Sequence, residues 1–312
     1  MFSVLSAVLE PFLLIALGYA LRGTKRFGAK ELWDGVEKLV FWVLFPPLLF
    51  NSVAHAKLTG LDTAEFLLFG TLAMATGVFK AVSKMAPADP MTDASVRQTG
   101  YRFNSYICFA LALNMYGQEA LALVALLTGI WVPISNAIAV ADLSYAAKTG
   151  GKTSVGSIVK SIFTNPLIVS TLAGLFANIL SHLTGFQVPN FITKIFSSLG
   201  SASMATALLA IGAGLAVEDF ARYKKLIALS TIQRLIVLPA VALAVAVATG
   251  LADTQTAALM CYAVVPTANS CYIMAARMGG NGPVVSDLTS VEVLVSLATI
   301  PMWCMALQAF VF

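Results

Sequence analysis

The residues best suited to bind a polar ligand lie inside an apolar stretch, residues 257–280, which is long enough to cross a bilayer. Pro266 stands near its middle, and Thr267 and Asn269 follow. A proline removes one helical hydrogen bond and clashes with the preceding turn, so we expect the helix to break there. In hydrocarbon the freed backbone groups need partners, so the break must be buried in protein or line a wet cavity. We interpret these three residues as a binding site; a proline kink packed between helices is the alternative.

Two further pairs of polar residues interrupt apolar runs. Asn104 and Ser105 open one run, and Ser135 and Asn136 follow Pro133 in the next. An amide offers donors and acceptors to a carboxylate without burying an unpaired charge. We therefore predict that both pairs belong to the binding site. The structural alternatives are a helix N-cap for Asn104 and hydrogen bonds between helices for the second pair.

Two charged residues, Glu292 and Arg234, also lie within apolar runs. A charge about two turns inside a membrane helix costs several kcal/mol unless it is paired or protonated, so Glu292 is the candidate for proton coupling. Arg234 has three interpretations. It could pair with Glu292, attract an anionic substrate, or extend its guanidinium to the membrane interface.

The remaining reactive residue types do not form a catalytic or metal-binding pattern. Neither His55 nor His182 lies in the middle of an apolar run, and the chain contains no GxSxG or HExxH motif. The four cysteines are single residues in apolar surroundings with no CxxC spacing. We therefore expect no enzyme, no metal site, no cofactor and no disulfide framework.

The composition indicates an integral membrane protein. Of the 312 residues, 59% are hydrophobic and 11% are charged, with a mean hydropathy of +0.86. A soluble domain is about half apolar and about a quarter charged. No basic run with interleaved aromatic residues occurs, so nucleic acid is not expected as a partner.

Apolar runs separated by charged, Gly and Pro clusters predict ten spans. Their limits are about 2–21 (span 1), 36–54 (span 2), 62–84 (span 3), 101–117 (span 4), 119–141 (span 5), 157–181 (span 6), 190–216 (span 7), 224–249 (span 8), 256–277 (span 9) and 284–311 (span 10). Span 1 lacks a basic leading region and contains Glu10 and Pro11, so we interpret it as a span and not as a cleaved signal peptide. Residues 85–100 and 144–153 are predicted to be cytoplasmic loops.

The basic residues predict the orientation of the spans. All of the 19 Lys and Arg residues except Lys57, Lys194 and Arg234 fall in or beside the loops that follow odd-numbered spans. Cytoplasmic loops carry the excess of Lys and Arg, so these loops are predicted to be cytoplasmic and both termini non-cytoplasmic. Because five is an odd number, five spans per half would place the second half in the membrane in the opposite orientation to the first. Inverted repeats of this kind occur in many transporters.

Several stretches combine into a family pattern. They are FWVLFPPLLFNSVA, YRFNSYICFALALNMYGQEAL, WVPISNAIAV, FTNPLIVSTLAGL, LLAIGAGLA and VVPTANSCYIMAARMGGNG. In this order they resemble the auxin efflux carrier family, the bacterial relatives of the plant PIN transporters, over essentially the whole chain. The family often places prolines where this chain has Phe103 and Ala110, so a break in span 4 is left open here.

The resemblance implies an all-α membrane protein with ten helices in two inverted repeats of five, residues 1–143 and 157–312, joined by a cytoplasmic linker, residues 144–156. Spans 1, 2, 6 and 7 would form a scaffold and spans 3–5 and 8–10 a transport domain. Spans 4 and 9 would be broken and cross at residues 103–104 and 266–267.

The implied function is secondary transport of a small organic anion, an auxin-like acid or a dicarboxylate such as malate or malonate, by an elevator or rocking motion. The alternative is an ion-coupled symporter or antiporter of the same broad fold that uses Na⁺ or H⁺. The implied location is the bacterial inner membrane. The expected partners are the anion, the lipid bilayer and a second copy of the chain in a homodimer.

Overall fold

The computed structural model describes residues 2–58, 60–79, 81–147, 156, 163–216 and 220–310, and these contain helices and connections but no strand. The described helices are α1 (Phe2–Arg22), α2 (Lys30–Leu39), α3 (Phe45–Ala54), α4 (Gly60–Ala75), α5 (Ala81–Met85), α6 (Pro90–Arg97), α7 (Ser105–Leu111), α8 (Gly117–Ala146), α9 (Pro166–Thr184), α10 (Asn190–Gly214), α11 (Phe220–Ile232), α12 (Leu238–Thr249), α13 (Asp253–Ala263), α14 (Ser270–Arg277) and α15 (Gly282–Phe310). Seven helical stretches within the described ranges are long and apolar enough to cross a membrane. The chain is therefore an all-α integral membrane protein with several spans.

Three π-helical turns join consecutive helices into longer rods. They cover Val40–Leu44 between α2 and α3, Ala112–Tyr116 between α7 and α8, and Gln233–Val237 between α11 and α12. A π turn widens the helix locally and is frequent at functional sites. One of the predicted site residues, Arg234, lies in the third of these turns.

Span 2 begins earlier than predicted, at Lys30 and not at residue 36. The first turns of this helix read KELWDGVEKL, and no residue of α2 is fully buried. Hydropathy places the start of the span where the apolar run begins, after most of the exposed charged residues of α2. The amphipathic α2 therefore extends the helix of span 2 at its N-terminal end.

The predicted loop over residues 85–100 is wrong. Residues Pro90–Arg97 form α6, and a 3-10 turn, Gln98–Gly100, continues it. The Asp89 side chain caps α6 by accepting hydrogen bonds from the backbone N–H groups of Met91 and Thr92. Hydrogen bonding to Thr92 lowers the pKa of Asp89 below its usual range. A capping Asp followed by Pro is a helix start, although the turn-forming residue types of this stretch predict a loop.

The second predicted loop and the start of span 6 are described only in part. Helix α8 continues to Ala146. Residues 148–153 of the loop, and residues 157–162 of span 6, lie outside the described residues.

One group of helices packs through glycines. Helix α1 lies against α10, and a Cβ atom added at Gly18 or Gly212 would overlap backbone atoms of the partner helix. Helix α9 lies against α3 in the same way, at Gly174. Small residues allow membrane helices to approach closely, since van der Waals contact drives their association. The contacts join the helices of spans 1, 2, 6 and 7.

A second group of helices is joined by polar contacts. Arg97 of α6 and Asp142 of α8 form an ion pair at 2.8 Å. The indole N–H of Trp131 donates to the carbonyl of Tyr101 at 2.8 Å. These bonds hold α6 and the segment that follows it against α8. They therefore position the interruption in span 4.

Candidate functional site

Span 4 is interrupted although no proline lies in it. After the 3-10 turn Gln98–Gly100 the helix stops, and α7 begins only at Ser105. Asn104 has an extended backbone, and its Oδ1 accepts hydrogen bonds from the N–H groups of Tyr106 and Ile107, both at 3.1 Å. The side chain of Asn104 thus starts the new helix as its N-cap. This was the structural alternative for Asn104.

Span 9 is interrupted between the end of α13 at Ala263 and the start of α14 at Ser270. Pro266 stands in the middle of this interruption, and Thr267 beside it is fully buried. Proline has no N–H to continue a helical ladder. The two interruptions, residues 101–104 and 264–269, are called the crossover below.

The two halves of the crossover bond to each other. The backbone N–H of Asn104 donates to the carbonyl of Pro266 at 2.8 Å, and the hydroxyl of Thr267 donates to the carbonyl of Thr99 at 2.7 Å. The rings of Phe103 and Tyr262 lie against each other, with centroids 3.8 Å apart. Each interruption therefore supplies partners to backbone groups that the other leaves without a helical bond.

Arg102 is a buried cation at the crossover that our sequence reasoning missed. It is 6% exposed and donates to the Ser270 hydroxyl at 2.9 Å and to the Gln98 side-chain oxygen at 2.7 Å. The distribution of Lys and Arg predicts it to be one of the cytoplasmic basic residues. The sequence signal for a role of Arg102 at the site is its position two residues before Asn104, at the polar start of an apolar run.

Glu292 and Arg234 are both fully buried, so the interfacial interpretation of Arg234 is wrong. No direct ion pair joins the two within the described ranges. Glu292 instead accepts a hydrogen bond from the backbone N–H of Thr267 at 2.7 Å, and Arg234 donates to the carbonyl of Tyr262 at 3.3 Å. A cation thus stands at the C-terminal end of α13 and an anion near the N-terminal side of α14, where helix dipoles favour each charge.

Asn269 differs from Asn104 in the use of its side chain. It precedes α14 but makes no capping hydrogen bond to it, and it is half-buried. Its Nδ2 lies 3.8 Å from the position that a Cβ on Gly214 would take, at the end of α10. The amide therefore faces the helix group of spans 1, 2, 6 and 7 across the boundary between the two groups.

Among the described residues, Ser105, Ser135 and Asn136 form no side-chain hydrogen bond with the crossover. The buried Ser135 hydroxyl donates to the carbonyl of Val132 in its own helix at 3.1 Å, and Asn136 beside it is half-buried. Ser105 is half-buried in the first turn of α7. The intrahelical bond of Ser135 favours a structural role for that hydroxyl.

A cavity of about 520 Å³ lies between α1, α3 and α10 on one side and the α7–α8 rod on the other. Its polar lining includes Glu10, Asn51, Ser52, His55, Asn114 and Gln118. None of the nine predicted site residues lines it. Asn114 and Gln118 were missed, although both are polar and stand four residues apart beside Gly117 in an otherwise apolar run.

The described residues contain no group of three or more His, Cys, Asp or Glu side chains that could hold a metal ion. Their four cysteines are free and buried.

A family model described as membrane transport protein matches residues 149–304, which is half of the chain. No curated protein matches the chain. The matched region contains Arg234, the second interruption and Glu292, whereas Asn104 precedes it.

Proposed function

The chain belongs to the membrane transport protein family, that of the auxin efflux carriers, and from this premise we propose that it is a secondary transporter of a small organic anion. The proposed substrates are auxin-like acids and dicarboxylates such as malate or malonate. The family places the chain among carriers and not among enzymes.

The observation that carries the proposal is the bonded crossover. It brings the starts of α7 and α14 together with the buried guanidinium of Arg102. Helix N-termini carry partial positive charge, and half-helices in transporters direct it at anionic groups of the substrate. Asn104, Asn269 and Thr267 are the proposed binding residues at this point, with Ser105 and the Ser135–Asn136 pair as flanking candidates.

The proposed motion is a displacement of one helix group against the other. Spans 1, 2, 6 and 7 would be the scaffold, since glycine contacts hold α1 to α10 and α9 to α3. Spans 3–5 and 8–10 would carry the crossover. The cavity supports this division by its position, because it lies between α10 of the first group and the α7–α8 rod of the second. Its volume falls in the range typical of small-molecule sites, about 300–1,000 Å³.

The loop charges support a cytoplasmic position for the connection between α1 and α2, with both termini on the other side of a bacterial inner membrane. The two halves, residues 1–143 and 157–312, would then be inverted repeats. A homodimer would place a second copy beside the scaffold.

Proton coupling is favoured by one observation. Glu292 Oε1 makes no hydrogen bond with the described part of the chain, although the carboxyl group is fully buried. A buried carboxyl with one satisfied oxygen can hold a proton on the other. Glu292 would then alternate between an anion and a neutral acid during transport, with Arg234 as the neighbouring fixed charge.

A thermal-shift experiment on the purified protein tests the substrate class, because a ligand that binds the folded state raises apparent stability. Malonate, malate and indole-3-acetate would be titrated against the wild type, Asn269→Ala and Asn190→Ala. Asn190 is an exposed amide at the start of α10 and serves as the matched control. We expect saturable shifts in the wild type and the control and none in Asn269→Ala. The absence of any shift in the wild type would contradict the proposal.

A further inference from the structure

Arg102 is a buried cation without a carboxylate partner. Its side chain is 6% exposed, and no carboxylate of the described residues lies within ion-pair distance of it. Arg97, five residues earlier in the chain, is by contrast paired with Asp142 at 2.8 Å. A charge in the protein interior is costly unless an opposite charge and hydrogen bonds compensate it. The charge of Arg102 therefore needs another source of compensation.

The contacts of the Arg102 guanidinium are all with neutral groups. Nη1 donates to the side-chain oxygen of Gln98 at 2.7 Å and to the Sδ of Met274 at 3.7 Å, and Nη2 donates to the hydroxyl of Ser270 at 2.9 Å. These bonds use three of the five N–H groups of a guanidinium. Two N–H groups and the positive charge therefore remain for a ligand.

The surroundings of Arg102 add positive potential. Ser270 is the first residue of α14, and the N-terminus of a helix carries partial positive charge. A cation at this end of a helix is the reverse of the arrangement that stabilises it. The Glu292 carboxylate accepts a hydrogen bond from Thr267 and forms no ion pair with Arg102. An anion beside Ser270 would therefore be attracted by both the guanidinium and the helix.

This position is reached from the boundary between the two helix groups. Ser270 is exposed, and it directly follows Asn269 in the chain. The Nδ2 of Asn269 lies 3.8 Å from the position that a Cβ on Gly214 of the other group would take. Asn269 and Ser270 therefore lead from the boundary to the guanidinium of Arg102.

We propose that Arg102 is a specificity-determining residue that selects substrates by charge, because its guanidinium binds one carboxylate of the substrate. This inference rests on the proposed function. It applies to monocarboxylates and dicarboxylates alike, since each supplies the carboxylate that the guanidinium binds. Bonds between arginine and a carboxylate are charge-assisted and stronger than those between neutral groups. An uncharged amide of the same size would leave the charge of Arg102 uncompensated, so it should bind more weakly.

The experiment measures dissociation constants of two acids and of their uncharged amides for the purified full-length protein. The pairs are indole-3-acetate with indole-3-acetamide and malonate with malonamide. The variants are Arg102→Gln, Arg102→Lys and, as a matched control, Arg277→Gln, which removes an exposed arginine from the last turn of α14. Melting temperatures establish that each variant is folded.

We expect the wild type to bind each acid at least about tenfold more tightly than its amide, the factor expected for one hydrogen bond to a charged group. This preference should fall by about tenfold in Arg102→Gln and remain unchanged in Arg277→Gln. Arg102→Lys should keep much of it, because lysine retains the charge although not the planar fork. A purely structural role of Arg102 would change stability without changing the preference for the acid.

Three results would overturn the role of Arg102 while wild-type binding of the acids stands. They are an unchanged preference in a folded Arg102→Gln protein, a loss in Arg102→Lys as large as in Arg102→Gln, and equal binding of acid and amide by the wild type. The last of these requires no variant, so the test does not depend on the folding of Arg102→Gln. Failure of the wild type to bind either acid would instead overturn the proposed function, and this inference with it.

Discussion

The backbone N–H of Asn104 donates a 2.8 Å hydrogen bond to the carbonyl of Pro266, so the two interrupted helices are bonded at their breaks. Each residue contributes a different cause of interruption. Pro266 lacks the N–H that a helix requires, and Asn104 uses its side chain to begin a new helix. This bond holds the two breaks together. A change at either residue should therefore affect both local stability and ligand binding, and the two effects need not be equal in size.

Replacement of Asn104 by alanine should lower both stability and transport. The loss of an N-cap costs about 1 kcal/mol, and the start of α7 would become less well ordered. The matched control is Asn165→Ala, since Asn165 caps α9 with the same two kinds of bond but belongs to the helix group of spans 1, 2, 6 and 7. Thermal unfolding should show similar losses for both variants, whereas uptake should fall only for Asn104→Ala. Equal uptake by the two variants would remove Asn104 from the binding site.

Glu292→Gln should destabilise the protein, because the hydrogen bond to the Thr267 N–H would lose its charged acceptor. A hydrogen bond to a charged group contributes about 1.5–3 kcal/mol, so a loss of about 1 kcal/mol or more is expected in chemical or thermal unfolding.

The same variant tests proton coupling. A glutamine cannot exchange a proton, so the dependence of transport rate on pH should flatten in Glu292→Gln. An unchanged pH profile in a folded variant would show that the coupling proton, if there is one, binds elsewhere. Glu119→Gln, which alters an exposed acid in the first turn of α8, is the control and should retain the wild-type profile.

Asp89 should stabilise α6 in a pH-dependent manner. Hydrogen bonding to Thr92 lowers the pKa of Asp89 in the folded protein. A carboxyl group whose folded pKa is depressed contributes stability above its unfolded pKa, near 3.9, and loses this contribution as pH falls through the folded value. Asp89→Ala should therefore unfold more easily by about 1 kcal/mol at neutral pH. The difference should shrink as pH falls through the lowered pKa of Asp89 in the folded protein. A difference that is constant over this range would exclude the ionised cap.

The interruption of span 9 could be predicted from the sequence because its cause is local. Pro266 removes a helical hydrogen bond, and the polar residues directly after it mark the site of the break, whereas Pro133 and Pro301 lie inside continuous helices. The family pattern and the apolar runs likewise depend on residues that are neighbours in the chain. These features require no knowledge of which helices pack together.

Helix α6, which precedes the interruption at residues 101–104, could not be predicted in the same way. Residues 85–100 are polar by composition, yet Thr92, Ser95 and Gln98 are buried. Their burial results from contacts with distant segments, such as the bond from the Gln98 side chain to the carbonyl of Cys271. A hydropathy value gives the average free-energy cost of burying a residue type. It contains no information about the hydrogen-bond partner that offsets this cost in the folded protein. Arg102 was misassigned for the same reason, since its partner Ser270 lies in span 9.

The cavity is a second feature that depends on tertiary packing. Glu10, Asn51 and Asn114 lie in three different rods and meet only when these rods assemble. The sequence shows each as an isolated polar residue in an apolar run.

Uptake by proteoliposomes tests whether the crossover binds and transports a carboxylate. Labelled indole-3-acetate and malonate would be offered to vesicles that contain the wild type, Asn269→Ala or the control Asn190→Ala. Asn269 caps no helix, so its replacement should leave the fold intact. We predict saturable uptake by the wild type and the control and uptake at the level of empty vesicles by Asn269→Ala. Wild-type uptake by a folded Asn269→Ala protein would contradict the account.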